Sequence, residues 1–196
     1  DYHGYWPGRG DDRQHLIDHY QTAPYLADAL SNDYIGAFLS VQQQFFVHFE
    51  EKGYASTAMQ CFYGGKNTHR IDYGSNMWWT TDEPYHWDDW LALQFFCALW
   101  TGGRGATDAA MWPARADISR PQWQAGVLDG LVDTVYYGAG AFRSEANYRR
   151  VSILERDAGL KPMVYGSVNR DTESNTRTVA WMLNAWLNGA NGVLPW

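Results

Sequence analysis

The chain has 196 residues, 45% of them hydrophobic and 19% charged, with a formal net charge of −7. Length and composition fit one soluble globular domain over residues 1–196, and the acidic balance excludes nucleic acid and anionic membrane surfaces as partners. No window approaches the roughly 18 consecutive apolar residues of a membrane-spanning helix.

Aromatic residues are in excess: 11 Trp, 13 Tyr and 8 Phe. Most individual tryptophans pack in cores. An excess of this size beside many Asn, Gln and Gly residues also suits a carbohydrate site, where rings meet the apolar faces of sugars and amides meet the hydroxyls. Cys61 and Cys97 lie in apolar runs and read as buried free thiols rather than a disulfide. The opening Asp1-Tyr2-His3 lacks an initiator Met and a signal-like segment, which reads as a processed chain or an excerpt of a longer one.

Residues 1–33 read as an irregular, loop-rich lead-in with a short helix around 26–30. Ile35, Phe38, Leu39, Phe45, Phe46 and Phe49 then form a helical stripe ended by Gly53. Residues 59–63 predict a short buried strand, followed by Gly64-Gly65 and a polar loop. Residues 77–81 predict a second strand. Asp88 and Asp89 can cap a helix through Trp90, Leu93, Cys97 and Trp100, with Gly102-Gly103 as its stop. Strands follow at 114–118 and 132–137, a helix at 144–158 and a strand at 162–165. Val179, Met182, Leu183, Trp186 and Leu187 make the cleanest helical stripe and read as a core face. A last strand covers 192–196.

Apolar strands alternating with helices predict an α/β fold with a parallel sheet. No Gly-x-Gly-x-x-Gly follows the first strand, which argues against a dinucleotide site. Glycine and polar residues cluster after the strands, where a (β/α)8 TIM-type barrel carries its active site. Such a barrel typically takes about 250 residues, so about six strands here correspond to its C-terminal three-quarters.

Within that pattern, Trp78-Trp79-Thr80-Thr81-Asp82-Glu83-Pro84 is the segment that carries chemistry. Two adjacent carboxylates close an aromatic run at a strand's carboxyl end; side chains alternate along a strand, so the two share one orientation only if the backbone turns, and Pro84 supplies a reason for that turn. Two acids side by side, under a roof of tryptophan, are what general acid catalysis on a sugar needs. A solvated turn, with either acid capping the next helix, has the same local sequence. His3, His15 and His19 have no completing Cys or carboxylate pair, so no metal is expected. Asp133, at a strand start, falls on the stability face of a barrel. Asp117 lies near a strand end, and Arg115 can pair with a nearby acid.

A strand ending in Asp82-Glu83, further strand–helix units, and the closing run from Ala185 to Trp196 resemble the catalytic domain of glycoside hydrolase family 123. Counting back from the last strand places 77–81 fourth, where families 20 and 123 carry their Asp-Glu pair. The resemblance runs from about residue 35 to 196. It implies retaining, substrate-assisted hydrolysis of β-linked N-acetylhexosaminides, an exception to the two-carboxylate scheme. N-acetylgalactosamine is the sugar expected under this resemblance, although no local residue selects galacto over gluco. Glu83 would protonate the leaving oxygen and later deprotonate the water. Asp82 would stay charged, orient the acetamido N–H and steady the oxazolinium. Tyr137, then Tyr165, is expected to hold the acetamido oxygen. Trp79, Trp123 and Trp196 are expected as aromatic walls, with His86 and Asn169 at sugar hydroxyls. No cofactor is implied; the partner is a glycan or glycoconjugate, in an extracellular or periplasmic setting. The family's β-sandwich and first two barrel strands have no counterpart here, so a missing N-terminal part would be needed to close the barrel. Outside this resemblance, a non-catalytic carbohydrate-binding barrel or a structural fragment of a larger surface protein accounts for the aromatics without needing a buried Glu83.

Overall fold

A computed structural model describes residues 26, 30–54, 56–65, 79–84, 86–105, 110–119, 121–124, 126–138, 156–166 and 170–195. In chain order these form α1 (Asn32–Glu51), β1 (Cys61–Phe62), α2 (Trp87–Arg104), β2 (Ala114–Ile118), a 3-10 turn (Pro121–Trp123), β3 (Thr134–Gly138), β4 (Lys161–Gly166), α3 (Asn175–Leu187) and β5 (Gly192–Pro195). The helices predicted near 26–30 and at 144–158 lie almost wholly outside the described residues.

All five strands are parallel and stand in the order β1-β2-β3-β4-β5. The protein is therefore α/β, as the sequence pattern predicts. A parallel sheet needs a crossover between each pair of strands; α2 lies in the crossover from β1 to β2 and α3 in that from β4 to β5. Ala114, Ala116 and Ile118 of β2 and Val135 and Tyr137 of β3 share one face, packed with Trp90, Leu93 and Cys97 of α2. Val164 of β4, in register with Tyr137, packs on Ala185 of α3 on that same face. Side chains alternate along a strand, so Arg115, Asp117, Tyr136 and Tyr165 project to the opposite face. Trp90 and Leu93 are fully buried, each contributing about 1.5–3 kcal/mol by area.

Local chemistry explains the helix limits. Ser31 caps α1 by accepting the Tyr34 N–H at 3.2 Å, and Gly53 ends it with φ 71°. The N-cap of α2 is His86, not an aspartate. Asp89 instead closes a capping box by accepting the His86 N–H at 2.9 Å. Gly102-Gly103 does not stop this helix, which continues to Arg104. Gly103 marks where α1 crosses: a Cβ there would meet Gln42 Oε1 at 1.9 Å and Leu39 Cδ2 at 2.6 Å. Gln42 is buried and donates its amide N–H to the Trp100 carbonyl at 2.7 Å, so it cannot easily move aside.

Two expectations fail. Residues 79–81 are not a strand, and β1 pairs directly with β2. The N–H groups of Thr81 and Asp82 both reach the Gly65 carbonyl, at 2.8 and 3.0 Å, whereas successive residues of a strand point to opposite sides. The stripe on α3 is not core either. Ala185 and Trp181 face the sheet, while Val179, Leu183, Trp186 and Leu187 are all more than half exposed. This helix is apolar on more than one face, and the small Ala185 permits the close approach to Val164. A closed barrel is not formed by the described strands. Among the described residues no helix is long and apolar enough to cross a membrane.

Asp133 immediately precedes β3 and accepts from Arg104 Nη1 at 2.8 Å and from the Ala114 N–H at 2.7 Å. It ties α2 to the amino end of the sheet, the stability role expected from its position.

Replacing Gly103 by Ala tests the α1–α2 crossing. Helix propensity alone favours the substitution by about 1 kcal/mol, but overpacking costs about 1–3 kcal/mol. With Gln42 held in place, we expect a net loss, read as a lower urea midpoint; a gain would show that the helices are not in contact there.

Burial also raises the thiols of Cys61 and Cys97 and the phenol of Tyr63 above their ordinary values. The folded chain then keeps protons that the unfolded chain releases above the ordinary thiol value of 9.0. The resulting stability is present below that pH and is lost as pH rises. The urea midpoint should fall from about pH 8 to pH 10, and Cys97→Ala should flatten the fall.

Candidate active site

The segment 79–84 lies across the carboxyl ends of β1 and β2, anchored from three directions. From α2, the fully buried carboxylate of Asp89 accepts the Thr80 N–H at 2.9 Å. Beside β1, the Thr81 hydroxyl donates to the Tyr63 carbonyl at 2.9 Å and accepts the Gly65 N–H at 3.2 Å. From β2, the Asp117 carbonyl accepts the Glu83 N–H at 2.9 Å. Trp79, Thr80, Thr81 and Pro84 are buried by this arrangement, while Asp82 and Glu83 are half-buried.

Glu83 has φ 62°, the only non-glycine residue with positive φ among those described. A side chain larger than Asn rarely adopts that conformation, which costs roughly 1–2 kcal/mol. It turns the chain between the two acids, so they leave the backbone in different directions. The Tyr165 hydroxyl, from the end of β4, donates a hydrogen bond to Glu83 Oε1.

Asp82 interacts electrostatically with Arg115. The Arg115 guanidinium lies 4.5 Å from the centre of the Phe62 ring and 4.0 Å from that of Tyr136. It also grips Asp117 with two hydrogen bonds of 2.7 Å. Burial disfavours its charge, but the hydrogen bonds and charge of Asp117 outweigh that penalty. Tyr136 and then Asp82 add to this, and the guanidinium is held above its ordinary value. Ring stacking and bidentate pairing are the tasks for which arginine differs from lysine.

The other expected site residues are distributed unevenly. Tyr165 joins the acid pair. Tyr137 does not: it is fully buried on the helix side, in the core with Trp90 and Leu93. Alternation along β3 decides this, since Tyr136 and Tyr137 must face opposite ways. Trp79 is 6% exposed and presents no open ring face to a sugar. Trp123 sits in the 3-10 turn after β2 and packs partly against the core. His86 is the cap of α2, its Nδ1 accepting the Asp88 N–H at 3.4 Å. Asn169 and Trp196, like Trp78 and the three N-terminal histidines, lie outside the described residues. No group of three or more metal-ligating side chains is present among the described residues.

Arg115 and Asp117 share a strand face by simple alternation, which is legible in Ala114-Arg115-Ala116-Asp117. The enclosure of Arg115 by Phe62 and Tyr136 comes from neighbouring strands and leaves no mark in the local sequence. Glu83's backbone conformation is equally silent, apart from the Pro84 that follows.

Comparison with family models, with curated proteins and with solved structures returned no match to this chain. The site is therefore defined by its geometry: a half-buried Asp-Glu pair at the carboxyl end of a parallel sheet, with unlike partners.

The Arg115–Asp117 pair has side chains only 16% and 9% exposed. Asp117→Asn removes the counter-charge from a largely buried guanidinium and should cost about 3 kcal/mol in a urea melt. Replacing both by apolar side chains of similar size should cost much less. Equal losses in the single and double variants would show that the pair is not coupled.

Proposed function

We propose that this protein is a glycoside hydrolase of the family 123 type, cleaving β-linked N-acetylhexosaminides with retention and substrate assistance. The observation carrying the reading is the unlike surroundings of two adjacent acids. Asp82 feels a guanidinium, and Glu83 meets an uncharged phenol. An acid–base pair with divided labour needs this separation, because one group must hold charge while the other delivers a proton.

In this reading the substrate's acetamido oxygen attacks the anomeric carbon as Glu83 gives its proton to the leaving oxygen. Asp82 stays ionised, accepts the acetamido N–H and offsets the positive charge of the oxazolinium. Glu83 then takes a proton from water as that water opens the ring. Asp117 is a poor enzymatic nucleophile here, since Arg115 engages both its oxygens, and this leaves the attack to the substrate. N-Acetylgalactosamine is the favoured sugar, on an extracellular or periplasmic glycan. The sheet is proposed as part of a (β/α)8 barrel. Supporting this is the sequential strand order, since a doubly wound sheet reverses its strand order.

Glu83→Gln should lower kcat/KM on a substrate with a poor, alkyl leaving group by about 10²–10⁴-fold. A 2,4-dinitrophenyl glycoside, whose leaving group needs no proton, should be far less affected in the glycosylation step. If the variant cleaves the alkyl glycoside as the parent does, Glu83 is not the acid.

A further inference from the structure

Glu83 is constrained more heavily than an acid on a turn needs to be. Its backbone occupies a conformation costly for glutamate, and its N–H is spent on the Asp117 carbonyl. Oε1 accepts from a tyrosine delivered by a strand 82 residues further along the chain. That delivery depends on a fourth residue. Gly138, the last residue of β3, is in register with Tyr165. A Cβ at position 138 would lie 3.0 Å from the Tyr165 hydroxyl oxygen and 3.2 Å from Cζ. The phenol therefore passes over the one place on β3 where no side chain stands. Tyr165 is 7% exposed, so the ring has little room to settle elsewhere.

From this we infer that Tyr165, admitted by Gly138, is a positioning residue that fixes the orientation of the Glu83 carboxyl group. The inference rests on reading Glu83 as the acid, and gives Tyr165 a task other than holding the acetamido group. With Oε1 occupied by the phenol, Oε2 is the oxygen that carries the proton to the leaving group. The proton leaves Oε2, the glycosidic C–O bond breaks, and the new negative charge spreads over both oxygens. The Tyr165 O–H then donates to a full carboxylate, a stronger hydrogen bond than it makes to the neutral acid. The phenol thus favours proton delivery, and its effect should grow with the leaving group's need for a proton.

Tyr165→Phe and Gly138→Ala test this in the intact chain, beside Glu83→Gln, with alkyl and 2,4-dinitrophenyl β-N-acetylhexosaminides. Each of the first two variants should lower kcat/KM on the alkyl glycoside by about tenfold. Activated substrate should change little, and the double variant should be no worse than either single one, because both remove the same contact. The 13Cζ resonance of Tyr165 reads the contact without turnover. It should move in Gly138→Ala and in Glu83→Ala while the other tyrosine resonances stay in place. Equal losses on both substrates would make Tyr165 merely structural and overturn the inference. An unmoved Tyr165 resonance in both alanine variants would overturn the contact itself. If Tyr165→Phe behaves like the parent while Glu83→Gln fails on the alkyl glycoside, the acid role stands and the positioning role falls. If Glu83→Gln behaves like the parent, the acid role falls and takes the positioning role with it.

Discussion

Asp89 is the carboxylate on which the arrangement of the site depends. It lies on the first turn of α2, fully buried, and accepts two backbone N–H groups from outside the helix, those of Thr80 and His86. A buried charge of this kind is tolerated only where several donors replace its hydration. Here the donors come from both ends of the connection that carries Asp82 and Glu83. One side chain therefore starts the helix and holds the acidic segment against the sheet.

The remaining fastenings share a logic. Parallel strands leave backbone carbonyls at their carboxyl ends, and the acidic segment uses three there, at Tyr63, Gly65 and Asp117. Using both Thr81 and Asp82 on the Gly65 carbonyl abandons strand geometry. In return the chain can turn sharply at Glu83. The unfavourable φ at Glu83 persists because its neighbours are over-determined: Thr80, Thr81 and Pro84 are buried, and their polar groups are matched from the sheet and from α2. Strain of this kind is commonly concentrated where a protein needs an unusual side-chain direction.

Charge is arranged around the same frame. The face opposite the core has Arg115 paired with Asp117, and the guanidinium lies over the rings of Phe62 and Tyr136. Arg115 is bound to Asp117 by two hydrogen bonds and also interacts electrostatically with Asp82. Glu83, one residue later, is turned toward Tyr165. Adjacent acids that would repel each other on a straight strand are thus served by different partners from different strands.

Much of the fold was legible in the residue pattern. The α/β class, the strand at 114–118, the helix over 32–51 and the stability role of Asp133 all follow from periodicity, capping and position, which are local properties. The same is true of the acid pair and the break at Pro84. What the pattern misplaced depended on neighbours distant in sequence. Residues 79–81 have strand-like composition, but the sheet closes β1 onto β2 and lifts them out of the ladder. The α3 stripe has core-like composition, yet the sheet meets the face bearing Ala185, because a small residue permits the close approach. Tyr137 and Tyr165 look equivalent in sequence; alternation within β3 sends Tyr137 into the core, and the missing side chain at Gly138 admits Tyr165 to Glu83. Sequence alone determined the α/β pattern and placed two acids side by side before a proline, since hydrophobic period and side-chain type act over a few residues. Only tertiary structure decided which carboxylate meets the guanidinium and which meets the phenol, because those partners arrive on separate strands.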